Sequence, residues 1–360
     1  MHKQTRRFLY VGGFELPDHN AAALRVLNIA KAIRWIGHEV IFLNYSSHVL
    51  QNNLKVYSGF QCYEYPKQTL LKHLTAISHI KNIIENEGIT DIIAYNNPAI
   101  SLWRMMRYCK KKHIRCYADA TEWYASSYFT LRGIAINIDT ALRMRILHKK
   151  MSGVIAISEY LYQYYQGWVD TVKVPPLSDK IECDAVPLME CKGERQTVKI
   201  VYAGSPSAQK EQLDSIVCAI EKVGAPIELE IIGIKKEEYE KIYKIKYIGT
   251  QVHFLGRISR DEVLQKTKRA DWTIIIRSNN RVVKAGFPTK VVESISLGVP
   301  VIANRFSNID EYLNENNSIV IADEQDLEQA IKKAAGETKT VNDMIFDYTL
   351  WLPELMKLFG

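Results

Sequence analysis

The chain has 360 residues, 47% of them apolar, with only 18 Gly and 11 Pro. That is enough core for two domains, and it excludes bulk disorder, collagen-like repeats and low-complexity architecture. The net charge of +7 is unevenly divided: residues 1–180 hold 23 basic and 13 acidic side chains, residues 181–360 hold 24 and 27, so a half at +10 precedes a half at −3 and points toward an anionic surface, membrane or nucleic acid.

In chain order, Met1 is followed by charged residues and a short apolar run, 8–11. That run is too short for a signal-peptide core, and no stretch approaches the roughly 20 apolar residues of a membrane span. The first series of short apolar runs predicts strands over 7–11, 39–43, 91–95, 115–117 and 153–157. Residues 21–35 place Ala23, Val26, Leu27, Ala30 and Ile33 on one helical face, with Asn20 where an N-cap belongs. Pro175-Pro176 and a polar stretch at 192–196 mark a linker over 176–196. A second series predicts strands over 199–202, 228–232, 252–255, 272–276, 300–303 and 318–321, with helices over 211–222 and 326–333. Repeated strand–helix units imply parallel sheets, hence an α/β chain of two Rossmann-like, doubly wound domains, 1–175 and 197–340, facing across a cleft. The apolar segment 341–360 is expected to be a helix packing back on the first domain. The six cysteines, Cys62, Cys109, Cys116, Cys183, Cys191 and Cys218, form no CxxC pair or zinc spacing and suit a reducing cytosol. A cytoplasmic location, or peripheral attachment to the inner face of the membrane, is expected.

Ligands of doubly wound sheets sit beyond the carboxyl ends of the strands. Gly12-Gly13 follows the first strand, where glycines let backbone amides approach an anion or simply make a tight turn. The pattern is not GxGxxG, so no dinucleotide fingerprint is present. Gly204-Ser205-Pro206, with Lys210 beyond it, suits a phosphate. The run 285–303 is the most informative. Gly286 and Phe287 precede a helix whose first turn takes Pro288 and whose amides would face a diphosphate. Lys290 in that first turn opposes the helix dipole, a cost that a bound anion would offset. Glu293, one turn on, could accept from ribose hydroxyls or pair with Lys290.

The run GFPTKVVESISLGVPVIAN, preceded by RADWTIIIRS and VHFLGRISRDEV, resembles the C-terminal half of family 4 glycosyltransferases, which have the GT-B fold. GGF, IGHEVIFL and VIAISEYL resemble the acceptor-binding half of the same family, and the wording is closest to bacterial capsule and O-antigen enzymes. The resemblance implies retaining transfer from a UDP- or GDP-sugar without a metal or other cofactor, to a glycan or lipid-linked glycan. It gives Lys210, Lys290 and the Gly286–Phe287 backbone the leaving diphosphate, Glu293 the ribose, and Arg257 and Ile258 the base pocket. The family pattern has a glutamate eight positions before Glu293, where this chain has Ala285. Arg277, Ser278 and Asn279 are close enough in sequence to supply other donor-sugar contacts. In the loop where family members often carry a His, this chain has Asp119 and Glu122, which would bind acceptor hydroxyls or assist deprotonation, or merely cap the next helix. His19 is a weaker candidate.

Arg143, Arg145, His148, Lys149 and Lys150 form one basic cluster and Lys110–His113 another, a candidate docking surface for anionic lipid through charge rather than insertion. Tyr160, Tyr162, Tyr164, Tyr165 and Trp168 are core, or stack on sugar or lipid. A nucleic-acid partner lacks any recognised motif. The competing reading is a GT-B protein without catalysis, binding nucleotide or glycan as a partner subunit, with Ala285 as its main support.

Overall fold

The computed structural model describes residues 5–18, 20–67, 77–124, 130–187, 197–204 and 211–360. The chain divides into two units: residues 1–177, 285–287 and 348–360, and residues 178–284 and 288–347.

The first unit holds an eight-stranded sheet of β1 (Arg7–Gly12), β2 (Glu39–Ser46), β3 (Asn53–Tyr57), β4 (Phe60–Pro66), β5 (Asp91–Tyr95), β6 (Arg115–Ala120), β7 (Gly153–Ala156) and β8 (Thr171–Lys173). Their order is β3-β4-β2-β1-β5-β6-β7-β8. All neighbours are parallel except β3 and β4. Central β1 is buried along nearly its whole length, which is why it reads as an unbroken apolar run rather than an alternation. The β3–β4 hairpin was not among the expected strands. It closes through Ser58 and Gly59, both at positive φ (48° and 76°), the two-residue turn that matches strand twist. The helix Ala21–Trp35 buries its expected face, and the Asn20 side chain accepts from the Ala23 amide at 3.0 Å.

The C-terminal segment is helical only over Leu352–Phe359, after a 3₁₀ turn at Tyr348–Trp351. Pro353 sits in the helix's first turn, where its missing amide costs nothing. The helix belongs to the first unit. Phe359 is fully buried, with ring centroids 5.0 Å from Phe8 and 5.1 Å from Tyr117. Its carbonyl accepts from Arg6 Nη1 at 2.9 Å, and Arg6 in turn pairs with buried Asp91. Phe359→Ala is therefore expected to cost the first unit about 3–5 kcal/mol, read as a shift in urea midpoint at unchanged slope.

The second unit holds β9 (Val198–Ala203), β10 (Ile227–Ile232), β11 (Val252–Gly256), β12 (Trp272–Ile275), β13 (Val301–Asn304) and β14 (Ser318–Ile321). The order is β11-β10-β9-β12-β13-β14, and every paired neighbour is parallel. Part of the expected linker is folded here. Lys180–Ala185 is a helix because Asp179 caps it, accepting from the Ile181 and Glu182 amides at 3.0 and 3.4 Å. Asp347 also belongs to this unit and accepts from the Lys180 amide at 2.7 Å. No helix among the described residues is long and apolar enough to cross a membrane.

Candidate functional site

In the second sheet β9 lies between β10 and β12, so the connections after β9 and β12 run to opposite sides and leave a crevice beyond their carboxyl ends. A cavity of about 200 Å³ runs there, lined by Gly204 after β9, Arg277 after β12, and Glu211, Lys290 and Glu293. The helix Thr289–Ser296 supplies the last two. Pro288 is its N-cap and offers no side chain to the first turn; its carbonyl takes the Val291 amide at 3.1 Å, which leaves the Thr289 and Lys290 amides without a cap and open to a ligand. Gly298 ends the helix at φ 77°. The amides of Gly298 and Val299 then return to the Ile295 and Ser294 carbonyls at 2.9 and 3.0 Å, a Schellman closure.

Glu293 is held between two cations. Lys290 Nζ donates to Oε2 at 2.7 Å and Arg260 Nη1 to Oε1 at 3.2 Å. Burial opposes ionisation of Glu293, but Lys290 and then Arg260 outweigh it and lower its pKa. Arg277 pairs with Glu211 at 3.0 Å, and its backbone exchanges hydrogen bonds with the Asn304 side chain at 2.9 and 2.7 Å. Its buried Nε has no partner. Gly204, Arg277, Lys290 and Glu293 thus come together. Arg257 is exposed and Ile258 half-buried, and neither lines the cavity. Arg260, three residues on, is the one from that loop that reaches Glu293. Ser259 caps the helix Arg260–Arg269 and so fixes Arg260 at its start, but no local signal points from there to Glu293. Ser205, Lys210 and His19 lie outside the described residues.

Gly286 and Phe287 group with the first unit, as does Ala285, whose methyl is fully buried and whose carbonyl accepts from Ser158 Oγ at 2.8 Å. Gly12 ends β1 where any Cβ would stand 2.6 Å from the Phe14 ring and 2.9 Å from Tyr95 Cβ, so close packing alone requires glycine. Gly13 is exposed and less crowded, its nearest neighbour being the Tyr45 carbonyl at 3.3 Å.

Asp119 is not a loop carboxylate free for acceptor chemistry. Strand β6 continues through it to Ala120, and it is fully buried. Arg25 contacts both its oxygens at 2.7–3.1 Å, and the Tyr10 hydroxyl donates to Oδ2 at 2.5 Å. Its lone pairs are committed to holding the helix Ala21–Trp35 against the sheet. Glu122, beyond the strand end, is half-buried. The basic cluster is also not one face: Arg143 and His148 are buried, leaving Arg145 and Lys150 exposed. The apolar residues beside it are not all core, because Leu131, Ile138, Leu142 and Ile146 are 88, 55, 42 and 44% exposed. Of the aromatic run, Tyr165 is core, Tyr164 packs edge-on against Trp123 at 5.0 Å, and Trp168 is exposed with Lys149 3.8 Å over its ring.

Two parallel-sheet α/β units of this order make the fold GT-B. Similar solved structures include sucrose-phosphate synthase from Thermosynechococcus elongatus (14% identity, TM-score 0.74, 98% of each chain covered). HepE from Anabaena, solved with UDP and glucose, is also similar (12%, TM-score 0.66, 98% of this chain and 99% of that one). So is the lipopolysaccharide outer core galactosyltransferase WaaB (14%, TM-score 0.62, 98% and 99%). No curated protein sequence matches significantly. Residues 193–345 match the family described as Glycosyl transferases group 1, and that stretch, which contains the cavity, is a glycosyltransferase domain.

Proposed function

We propose that the chain is a retaining glycosyltransferase that moves a sugar from a UDP- or GDP-sugar to a glycan or lipid-linked glycan, without a metal ion, in the synthesis of a surface polysaccharide. The observation that carries this reading is the arrangement of Lys290, Glu293 and uncapped first-turn amides in one cavity of a glycosyltransferase domain. As the bond from the anomeric carbon to the diphosphate breaks, negative charge grows on the leaving oxygen. Lys290 and the helix amides are positioned to stabilise it. Glu293 holds the ribose hydroxyls. The acceptor hydroxyl bonds to the anomeric carbon on the face the diphosphate leaves, and the leaving phosphate oxygen takes its proton. HepE binding UDP and WaaB acting in lipopolysaccharide support the donor and the pathway class. The exposed apolar stripe at Leu131, Ile138, Leu142 and Ile146, next to Arg145 and Lys150, supports peripheral attachment to an anionic membrane through insertion as well as charge.

The test is a panel of UDP- and GDP-sugars incubated with the full chain, with and without EDTA, followed by product NMR. One donor should be consumed at an undiminished rate in EDTA, its anomeric configuration kept. Turnover that stops in EDTA and returns with magnesium would overturn the metal-free part. An inverted product would overturn retention. Ala285, buried where the family carries a carboxylate, favours a second reading, a nucleotide-binding partner subunit. Binding of a nucleoside diphosphate with no donor consumed would select it.

A further inference from the structure

We infer that the first unit carries a binding site for a phosphoryl group, built around Arg143. This residue is 2% exposed and begins the π-helical turn Arg143–Leu147 that follows the helix Leu131–Leu142. Its Nη1 donates to the Asn96 carbonyl at 3.0 Å. Its Nε and Nη2 are buried and have no hydrogen-bond partner. The guanidinium lies 5.2 Å from the centre of the Tyr124 ring, a cation–π contact that does not neutralise it. Among the described residues no carboxylate stands within ion-pair distance of it. The other buried arginines of the unit differ in this respect: Arg6 pairs with Asp91, and Arg25 with Asp119 at 2.7 Å. Asp139, one helical turn earlier, is committed elsewhere, accepting from the Ala99 amide at 2.7 Å.

A buried charge without a counter-charge is a costly element of a fold unless a ligand completes it. Nε and Nη2 form the side edge of the guanidinium fork, the edge that takes two oxygens of one phosphate. The location agrees. Asn96 directly follows β5 in a left-handed conformation (φ 45°), and its Nδ2 donates to Thr121 Oγ1, beyond β6, at 2.6 Å. The adjacent Asn97 reaches the Val11 carbonyl on β1 at 3.4 Å. Strands β1 and β5 are neighbours from which the chain departs in opposite directions, so Arg143 is anchored at the carboxyl edge of the sheet at its switch point. Asn96 Oδ1 is likewise buried without a partner. A hydroxyl beside the phosphoryl group would satisfy it, so the ligand class is a phosphorylated carbohydrate, either a free sugar phosphate or the sugar diphosphate of a lipid carrier. The inference rests on the transferase reading only in calling this ligand the acceptor.

The test uses the full chain carrying Lys290→Ala, which weakens anion binding in the second unit, and measures affinity by calorimetry without any donor. The probes are glucose 1-phosphate and a short isoprenyl-diphosphoglucose, with glucose as the uncharged control. At least one phosphorylated probe should bind, glucose should not, and adding Arg143→Met should weaken the bound probe at least about tenfold. Arg143→Lys, which keeps the charge and loses the fork, should fall between. Without probe, Arg143→Met should melt no lower than its parent, because it removes an unpaired buried charge. The probe that binds more tightly identifies the source, free sugar phosphate or lipid-linked diphosphate. Affinity unchanged by Arg143→Met, binding of neither phosphorylated probe, or a loss of melting temperature in Arg143→Met that marks a purely structural role would each overturn the site. None of these readouts requires sugar transfer, so failure here leaves the transferase reading to its own test.

Discussion

Lys290→Ala is expected to lower donor turnover by about 10²–10³ while the protein keeps its fold. Lys290 is the second residue of the helix Thr289–Ser296, so its ammonium and the helix's partial positive charge act on the same volume. Loss of one such preorganised group costs about 3–4 kcal/mol in the transition state. The same lysine contributes little to stability. Its ion pair with Glu293 is 35% exposed on the lysine side, and pairs of that kind contribute about 0–1 kcal/mol. Glu293 also keeps Arg260 as its second cation. A side effect should appear in acid. Glu293 has a lowered folded pKa, so it contributes stability above the ordinary carboxylate range that is lost as pH falls through the folded value. Without Lys290 that shift shrinks, and so does the acid-induced loss. The measurement is kcat/KM for the donor consumed by the wild type, beside a thermal melt. Turnover within threefold of wild type at an unchanged melting temperature would remove the catalytic role from Lys290.

The alternation of strands and helices was legible because parallel strands buried on both sides, such as β1 and β7, read as unbroken apolar runs. The hairpin of β3 and β4 was not, because β3 is an exposed edge strand with little apolar pattern and its only signal was Ser58-Gly59. Cavity residues next to a helix start were legible from local chemistry: Lys290 and Glu293 lie one turn apart just after Pro288. Contacts across long separations were not. Nothing in spacing brings Arg260 to Glu293, or Arg25 to Asp119 over 94 residues. Strand β6 runs three residues beyond the 115–117 its sequence pattern predicts, for a related reason. Ala118-Asp119-Ala120 has poor strand propensity, and Asp119 belongs in a buried strand only because Arg25 arrives from a helix far away in sequence. A carboxylate that looks like loop chemistry in one dimension is a structural counter-ion in three. The charge asymmetry of the chain had a similar fate. It marked the first half as anion-seeking, while sequence alone could not separate the exposed Arg145 from Arg143, buried two positions earlier.

Asp119→Ala should destabilise the first unit by about 3–5 kcal/mol, the cost of leaving a buried partner charge uncompensated. At about 2–4 °C per kcal/mol for a unit of this size, the melting temperature should fall by roughly 6–20 °C. Both sides of the pair are sequestered, with side-chain exposures of 2% for Arg25 and 0% for Asp119. Arg25 also donates to the Val174 carbonyl at 2.9 Å, so its position is fixed and it cannot swing to water when the carboxylate is removed. The double variant Arg25→Met/Asp119→Leu removes both charges and replaces them with apolar volume. It should recover most of the loss, because well-packed apolar replacements of buried ion pairs are commonly neutral or stabilising. A thermodynamic cycle of Arg25→Met, Asp119→Leu and the double variant then gives the coupling directly. The same proteins separate structure from catalysis. If Asp119 only holds the helix to the sheet, the folded fraction of the double variant turns over donor at close to the wild-type rate below its melting point. A double variant that is as stable as wild type yet inactive would return Asp119 to the acceptor chemistry that its burial and its saturated hydrogen bonds argue against.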